Sequence, residues 1–232
     1  MMRKKILYIL SGILLLAGCR QENLTVPSGE GYLSVGNIEL QAQTITEIAS
    51  RAVDATLLVE LWKGGVKVRE LSADEMQNKI ELDAADDYTL KVYSSNYGEE
   101  TGWGNADKGE PVYYKEVPFE VKEGETTSLK IQVPMIDFAV CLDLSNVTGE
   151  WLSEYNFTVT SGGRSVSLKD GETVYFPYAE GVFFTYQLDV TNTDSESNTQ
   201  SGSWGNKDSQ TVNINTLYTI SYNWSTRSLV VN

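Results

Sequence analysis

Two double-glycine steps, Gly64-Gly65 and Gly162-Gly163, each stand between short runs in which apolar and polar residues alternate. No other feature constrains the fold of this chain as strongly. A two-residue turn between antiparallel strands of type I′ needs positive φ at both positions, which glycine takes without steric penalty. "ATLLVELWKGGVKVREL" and "YNFTVTSGGRSVSL" therefore read as β-hairpins. Ile38, Leu40 and Ala42 alternate with Glu39, Gln41 and Gln43, and Tyr88, Leu90 and Val92 alternate with Thr89, Lys91 and Tyr93. Period two marks half-buried strands. Turn residues separate these runs at short intervals, which favours an all-β sandwich over alternating strands and helices. Pro118 and Pro134 mark strand edges or breaks. The helical signal is confined to "LSADEMQNKIEL", where Ser72 and Glu75 are spaced as a capping box and predict one turn between strands.

The order of these runs repeats. Gly64 and Gly162 lie 98 positions apart, and Trp-Gly-Asn-x-Asp occurs at Trp103 and again at Trp204, 101 positions on. Landmarks so nearly in step predict a duplicated β unit, with "GWGNAD" and "SWGNKD" in the same connection of each copy. The expected organisation is a signal segment over 1–18, a tether over 19–31, and β-sandwich domains over 32–134 and 135–232.

The leader begins with Arg3, Lys4 and Lys5, continues through an apolar run from Ile6 to Leu16, and closes on Leu16-Ala17-Gly18-Cys19. It is a secretory leader, too short for a spanning helix. "LAGC" resembles a bacterial lipobox, which implies cleavage before Cys19 and lipidation of its thiol. Acyl chains contribute about 0.8 kcal/mol per buried methylene, so such an anchor holds the protein to a membrane without spanning it. Residues 20–31 are polar, with Pro27, Gly29 and Gly31, and suit a tether. Losing Arg3, Lys4 and Lys5 with the leader takes the formal net charge from −14 to −17. That balance argues against nucleic acid or an anionic membrane surface as partner. With the Cys19 thiol lipidated, Cys141, in "FAVCLDL", is then the remaining thiol and reads as a buried small hydrophobe.

No histidine occurs, which removes Ser-His-Asp and Cys-His nucleophilic sites and His-based zinc sites. The carboxylate pairs Asp74-Glu75, Asp86-Asp87 and Glu99-Glu100 are adjacent residues, which point to opposite faces of a strand and read as solvated turns. Walker and Rossmann glycine patterns are absent. Asp194 and Glu196 lack the spacing of a calcium loop, and Glu99, Glu100, Asn105 and Asp107 are no stronger. The expectation is a non-enzymatic protein without metal or cofactor. Trp103 and Trp204 lie in polar, Gly-rich loops and are candidate sugar-stacking rings; the competing reading folds each ring over the open end of its sandwich. Trp62 and Trp224 read as core or edge packing.

The lipobox, the "GYLSVG" opening strand, the arginine in the loop after it, "PVYY" downstream of Trp103 and the "VKEGETT" turn together resemble the fimbrillin-like surface lipoproteins of Bacteroidales, related to type V pilus subunits. The resemblance covers residues 16–224 and implies two tandem Greek-key, transthyretin-like β-sandwich domains. It implies a protein lipid-anchored to the outer membrane of a Gram-negative bacterium, at the cell surface, as a pilus subunit or adhesin. Other pilus subunits or surface ligands would be its partners. In that family a trypsin-like protease cuts after an arginine, the first strand leaves, and a neighbour's strand replaces it by β-strand addition. Carried over, the strand is Tyr32 to Ile45 and the processing site is Arg51-Ala52. The segment Ser225 to Asn232 either donates in the same way or completes its own sheet. The alternative is a glycan-binding accessory lipoprotein of a polysaccharide-uptake system.

Overall fold

The computed structural model describes residues 29–41, 44–45, 56–147 and 154–232. Cys19, Arg51 and Ala52 lie outside the described residues. The first half contains β1 (Glu30–Leu40), β2 (Thr44–Ile45), β3 (Leu57–Lys63), β4 (Val66–Glu70), helix α1 (Ala73–Met76), β5 (Ile80–Asp83), β6 (Ala85–Ser94), β7 (Tyr114–Val121) and β8 (Thr126–Val133). The second half contains β9 (Asp137–Asp143), β10 (Glu154–Ser161), β11 (Arg164–Leu168), β12 (Thr173–Pro177), β13 (Phe184–Thr191), β14 (Ser197–Trp204), β15 (Thr216–Asn223) and β16 (Ser228–Val231).

Both hairpins form where the glycines require them, with φ of +57° and +77° at Gly64 and Gly65 and +57° and +82° at Gly162 and Gly163. The capping box is present: the Ser72 side chain accepts from the Glu75 backbone, and the Glu75 carboxylate accepts from the Ser72 N–H. Pro118 sits in β7, the edge strand of its sheet, where a missing N–H costs no ladder bond. Pro134 falls at the break between β8 and β9.

The first half stacks the sheet β5-β1-β8 on the sheet β4-β3-β6-β7; the second stacks β12-β9-β15 on β11-β10-β13-β14. The orders correspond strand for strand. In each half the opening strand runs antiparallel to one neighbour and parallel to the other, β1 beside β8 and β9 beside β15. β16 adds an outer strand to β15 in the second half. The fold is an all-β sandwich built on a repeated topology. One core gathers Leu33, Val35, Leu61, Leu90, Val92, Ile131 and Val133 between the first pair of sheets. The other gathers Phe138, Leu142, Phe157, Phe176, Phe184 and Ile220 between the second pair. Phe138 lies 5.6 Å from Phe176 and 5.9 Å from Phe184, ring centre to ring centre, with Tyr218 edge-on at 6.4 Å.

The expected register of the duplication needs correction. Trp103 precedes β7, whereas Trp204 closes β14, the counterpart of β7. The two Trp-Gly-Asn stretches therefore occupy different connections. The equivalent pairs Leu33↔Ile80 and Phe138↔Phe176 show where the halves do correspond. The opening strand also differs from a continuous Tyr32–Ile45 run. A bulge leaves Gly36 without a partner opposite β8, so inward positions pass from Leu33 and Val35 to Ile38 and Leu40. Cys141 is half-buried, out of step with the inward Val140 and Leu142.

Candidate functional site

β1 and β2 together form a strap across both halves. β1 lies between β5 and β8, pairing four residues with β5 and eight, from Tyr32 to Leu40 around the bulge, with β8. β2 pairs in parallel with Thr216 and Leu217 at the start of β15. Neither neighbour of β1 reaches it through a tight turn, so side-chain burial and ladder bonds hold it in place. Leu33 is fully buried and Val35 nearly so. Burying two such side chains contributes roughly 1.5–3 kcal/mol each. Gly31 passes so close to the turn after β7 that a Cβ there would strike the Lys122 carbonyl oxygen and stand 2.7 Å from Val121 Cγ1. Beside it, the Tyr32 N–H donates to the Glu125 carbonyl at 2.9 Å, and the Gly124 N–H donates to the Glu30 carbonyl at 2.8 Å.

The start of the strap carries an acidic crowd. Register places Glu30 opposite Asp83 and Tyr32 opposite Glu81. Hydrogen bonding and repulsion from Glu81, with a smaller contribution from Asp83, hold the Glu30 carboxyl above its ordinary range. Like charges facing each other across strands weaken the pair.

A buried polar seam joins the two halves. Arg164, at the head of β11, is only 8% exposed. Its guanidinium lies 4.7 Å from the Phe176 ring centre and 5.2 Å from that of Trp103. It donates to the Tyr175 carbonyl at 2.8 Å and to the Asp107 carbonyl at 2.7 Å. The loop before β7 continues the contact: the Asn105 side chain accepts from the Ser165 N–H at 3.1 Å, and Lys108 pairs with Glu172 at 2.5 Å. Asp137, 1% exposed, accepts from the Val112 N–H at 3.1 Å. Burial pushes its carboxyl up to about 7, while the Val112 N–H and Arg164 oppose the rise and Glu100 adds to it.

The two loop tryptophans are thus engaged with the protein. The six-membered ring of Trp103 covers Gly109, where a Cβ would meet its carbons at 2.9 Å, and faces the Arg164 guanidinium. Trp204 packs against the second core, 6.0 Å from Tyr218 by ring centres, and its indole N–H donates to the Thr211 carbonyl at 3.3 Å. Trp224 is 47% exposed and donates to the Asn146 carbonyl at 2.9 Å. Trp62, expected as core or edge packing, instead stands on the outward face of β3. There it meets Lys91, 4.1 Å from its ring centre, and donates to Glu60 at 2.9 Å. Asn192 holds the "TDSESN" turn, accepting from the N–H groups of Asp194 at 2.9 Å and Glu196 at 2.8 Å. Among the described residues no group of three or more acidic or cysteine side chains is placed to hold a metal ion.

The sequence from 29 to 230 matches the model of a domain of unknown function, DUF4493. The chain belongs to the DUF4493 family. The matched stretch runs from the residue before β1 into β16, so both sandwiches fall within one family unit. No curated protein matches this DUF4493 chain. Among solved structures it is similar to a candidate adhesin from Bacteroides ovatus, at 15% identity over 77% of this chain and 83% of that one, with a TM-score of 0.36. It is also similar to a candidate polysaccharide-binding protein (DUF1812) from Bacteroides thetaiotaomicron, at 12% identity over 87% and 96%, with a TM-score of 0.38. The Bacillus anthracis TIE protein matches at 16% identity over 83% of this chain and 34% of its own length, with a TM-score of 0.25. These superpositions are loose, and no activity passes from those proteins to this one. No helix among the described residues is long and apolar enough to cross a membrane.

Proposed function

We propose that this protein is a lipid-anchored outer-membrane surface protein of the fimbrillin-like kind, without enzymatic activity, whose working part is the β1–β2 strap. Cys19 supplies the anchor, and cleavage after Arg51 frees the strap for replacement by a strand from a partner subunit or surface ligand. The observation that carries this reading is the position of β1, seated between β5 and β8 with no hairpin connection to either. Once residues 46–55 are cut, only pairing and burial retain it. Its departure would bare the β8 ladder from Thr126 to Val133, a row of N–H and C=O groups suited to strand addition.

Brief exposure of the purified ectodomain to trace trypsin tests the proposal. The expected result is preferential cleavage after Arg51, followed by oligomers on a sizing column. A product that stays monomeric after cleavage at Arg51 would contradict polymerisation. Glycan capture through Trp103 and Trp204, the alternative route to a surface role, has to compete with the partners those rings already hold. Glycan binding finds firmer support on a different surface.

A further inference from the structure

The outward face of β10, β13 and β14 carries a cleft of about 580 Å³ that none of the features above uses. Small-molecule sites span roughly 300–1,000 Å³. Strand alternation builds it: Phe157 and Val159, then Phe184, Tyr186 and Leu188, go into the core, which sends Asn156, Thr185, Gln187 and Asp189 outward. Ser201 on β14 pairs with Gln187, and Asn206 beyond the strand closes one end. We infer that this cleft is a binding site for an uncharged saccharide.

The chemistry of the lining selects that class. No lysine or arginine lines the cleft and one carboxylate does, so anions are disfavoured, more so on a chain of net charge −14. A lone carboxylate is also a poor cation site. The cleft lies on the face of the sheet, where the backbone groups of β13 are spent in ladders to β10 and β14; the outer edge of β14 is the one place a peptide strand could join, and it borders the cleft without lining its floor. Side-chain hydroxyls, amides and a carboxylate remain, a mixture of donors and acceptors that matches sugar hydroxyls, each of which donates and accepts. Asn156, Thr185 and Ser201 make no side-chain hydrogen bond to other described residues. Asp189 is prepared as the acceptor: Thr199 donates to it at 2.6 Å and Gln187 at 3.0 and 3.1 Å. Thr199 first, then Gln187, hold its carboxyl below the ordinary range, so it stays ionised with lone pairs left to receive a pair of neighbouring hydroxyls.

The corresponding face of the first half is closed. Glu60 there is 8% exposed and accepts from Trp62 at 2.9 Å, Lys67 at 2.5 Å and Tyr93 at 2.7 Å. The same topology therefore fills one face with its own side chains and leaves Asn156, Thr185 and Ser201 on the other without side-chain partners among the described residues.

The test uses the uncut ectodomain and a panel of neutral, uronic and sulfated oligosaccharides, with titration calorimetry for affinity. Wild type should bind one or more neutral members. Asp189→Ala and Gln187→Ala should each weaken that binding by about tenfold or more, and Ser201→Trp should abolish it by filling the cleft. Circular dichroism melts confirm that each variant is folded. Absence of binding to every neutral member, preference for the acidic members, or binding lost in Trp103→Phe but kept in Asp189→Ala would each overturn the inference. The cleft lies away from β1 and β2, so failure here leaves strand exchange standing, and failure of strand exchange leaves this result intact.

Discussion

The two halves of the molecule share a strand order and differ in almost everything the order does not demand. The first core is largely aliphatic around Leu33, Leu61 and Leu90; the second is centred on Phe138, Phe176 and Phe184. The first half runs 19 residues between β6 and β7 and uses them to clamp the second half, where the equivalent β13–β14 connection has five. The outward face of the four-stranded sheet is sealed around Glu60 in one and open around Asp189 in the other. A sandwich requires apolar residues at alternate positions and turns that fit the twist. Connections and outward positions are left free to diverge, and the cleft arises where the halves differ.

The largest effect is expected at the seam. Arg164→Ala removes a buried cation held by two carbonyls and two rings and leaves its acidic neighbours uncompensated, an expected loss of about 3–5 kcal/mol. Denaturant titration should show it, with unfolding separating into two transitions; an unchanged single transition would mean that Arg164 does not tie the halves. Asp137→Asn should act in the opposite direction. The Asp137 carboxyl is raised from 3.8 to about 7 by burial, so the folded state holds a proton that the unfolded state releases between those values. Stability from this group is thus present at low pH and lost as pH rises through about 7. The variant should gain on the order of 3–4 kcal/mol relative to wild type at pH 8 and little at pH 4. Equal differences at the two pH values would refute the assignment.

The outward faces come next. Glu60→Ala strips a common acceptor from Trp62, Lys67 and Tyr93 and should cost about 2 kcal/mol. Thr158→Ala, at an outward position of the second half, should stay within about 0.5 kcal/mol. Similar losses at both would erase the distinction between a sealed and an open face. The smallest effect checks what the halves hold in common. Gly64→Ala and Gly162→Ala replace glycines of identical φ, +57°, and should each cost about 1 kcal/mol, Gly64 slightly more because its Cβ would stand 3.2 Å from Asp87 Oδ2 while Gly162 faces open space. A larger thermal shift at Gly162 would show that the paired turns are not equivalent.

Much of this was legible in the chain. Both hairpins, the single capped turn and the proline positions follow from local chemistry, and local chemistry decides them. The alternation of Ile38 and Leu40 is legible and does face the core, but it does not extend back to Leu33 and Val35, because the bulge at Gly36 shifts the parity of the strand. The Trp-Gly-Asn stretches misled about register. Their glycine and asparagine suit any tight loop, so the likeness records a shared loop chemistry and not a shared place in the topology. The seam does carry a sequence signal: Arg164 continues the inward alternation of Val166 and Leu168, and Asp137 interrupts the apolar run "MIDFAV". A charge at an inward position asks for a buried partner. The cleft was invisible for the opposite reason, since Ser, Thr, Asn and Gln at outward positions are what any solvated sheet shows, and concavity is not written in a pattern.

Strand exchange requires that β1 and β2 leave and be replaced. The most direct measurement is exchange of a labelled synthetic peptide spanning Glu30 to Ile45 into the ectodomain before and after cleavage at Arg51, followed by native mass spectrometry. Strand exchange would give no uptake by the intact chain and one peptide per molecule after the cut. Uptake should quicken as pH rises through the range where Glu30 titrates, because its carboxyl, held above the ordinary range by Glu81, then loses its proton and the acidic crowd repels. A cut chain that keeps its own fragment and takes up no peptide would contradict it.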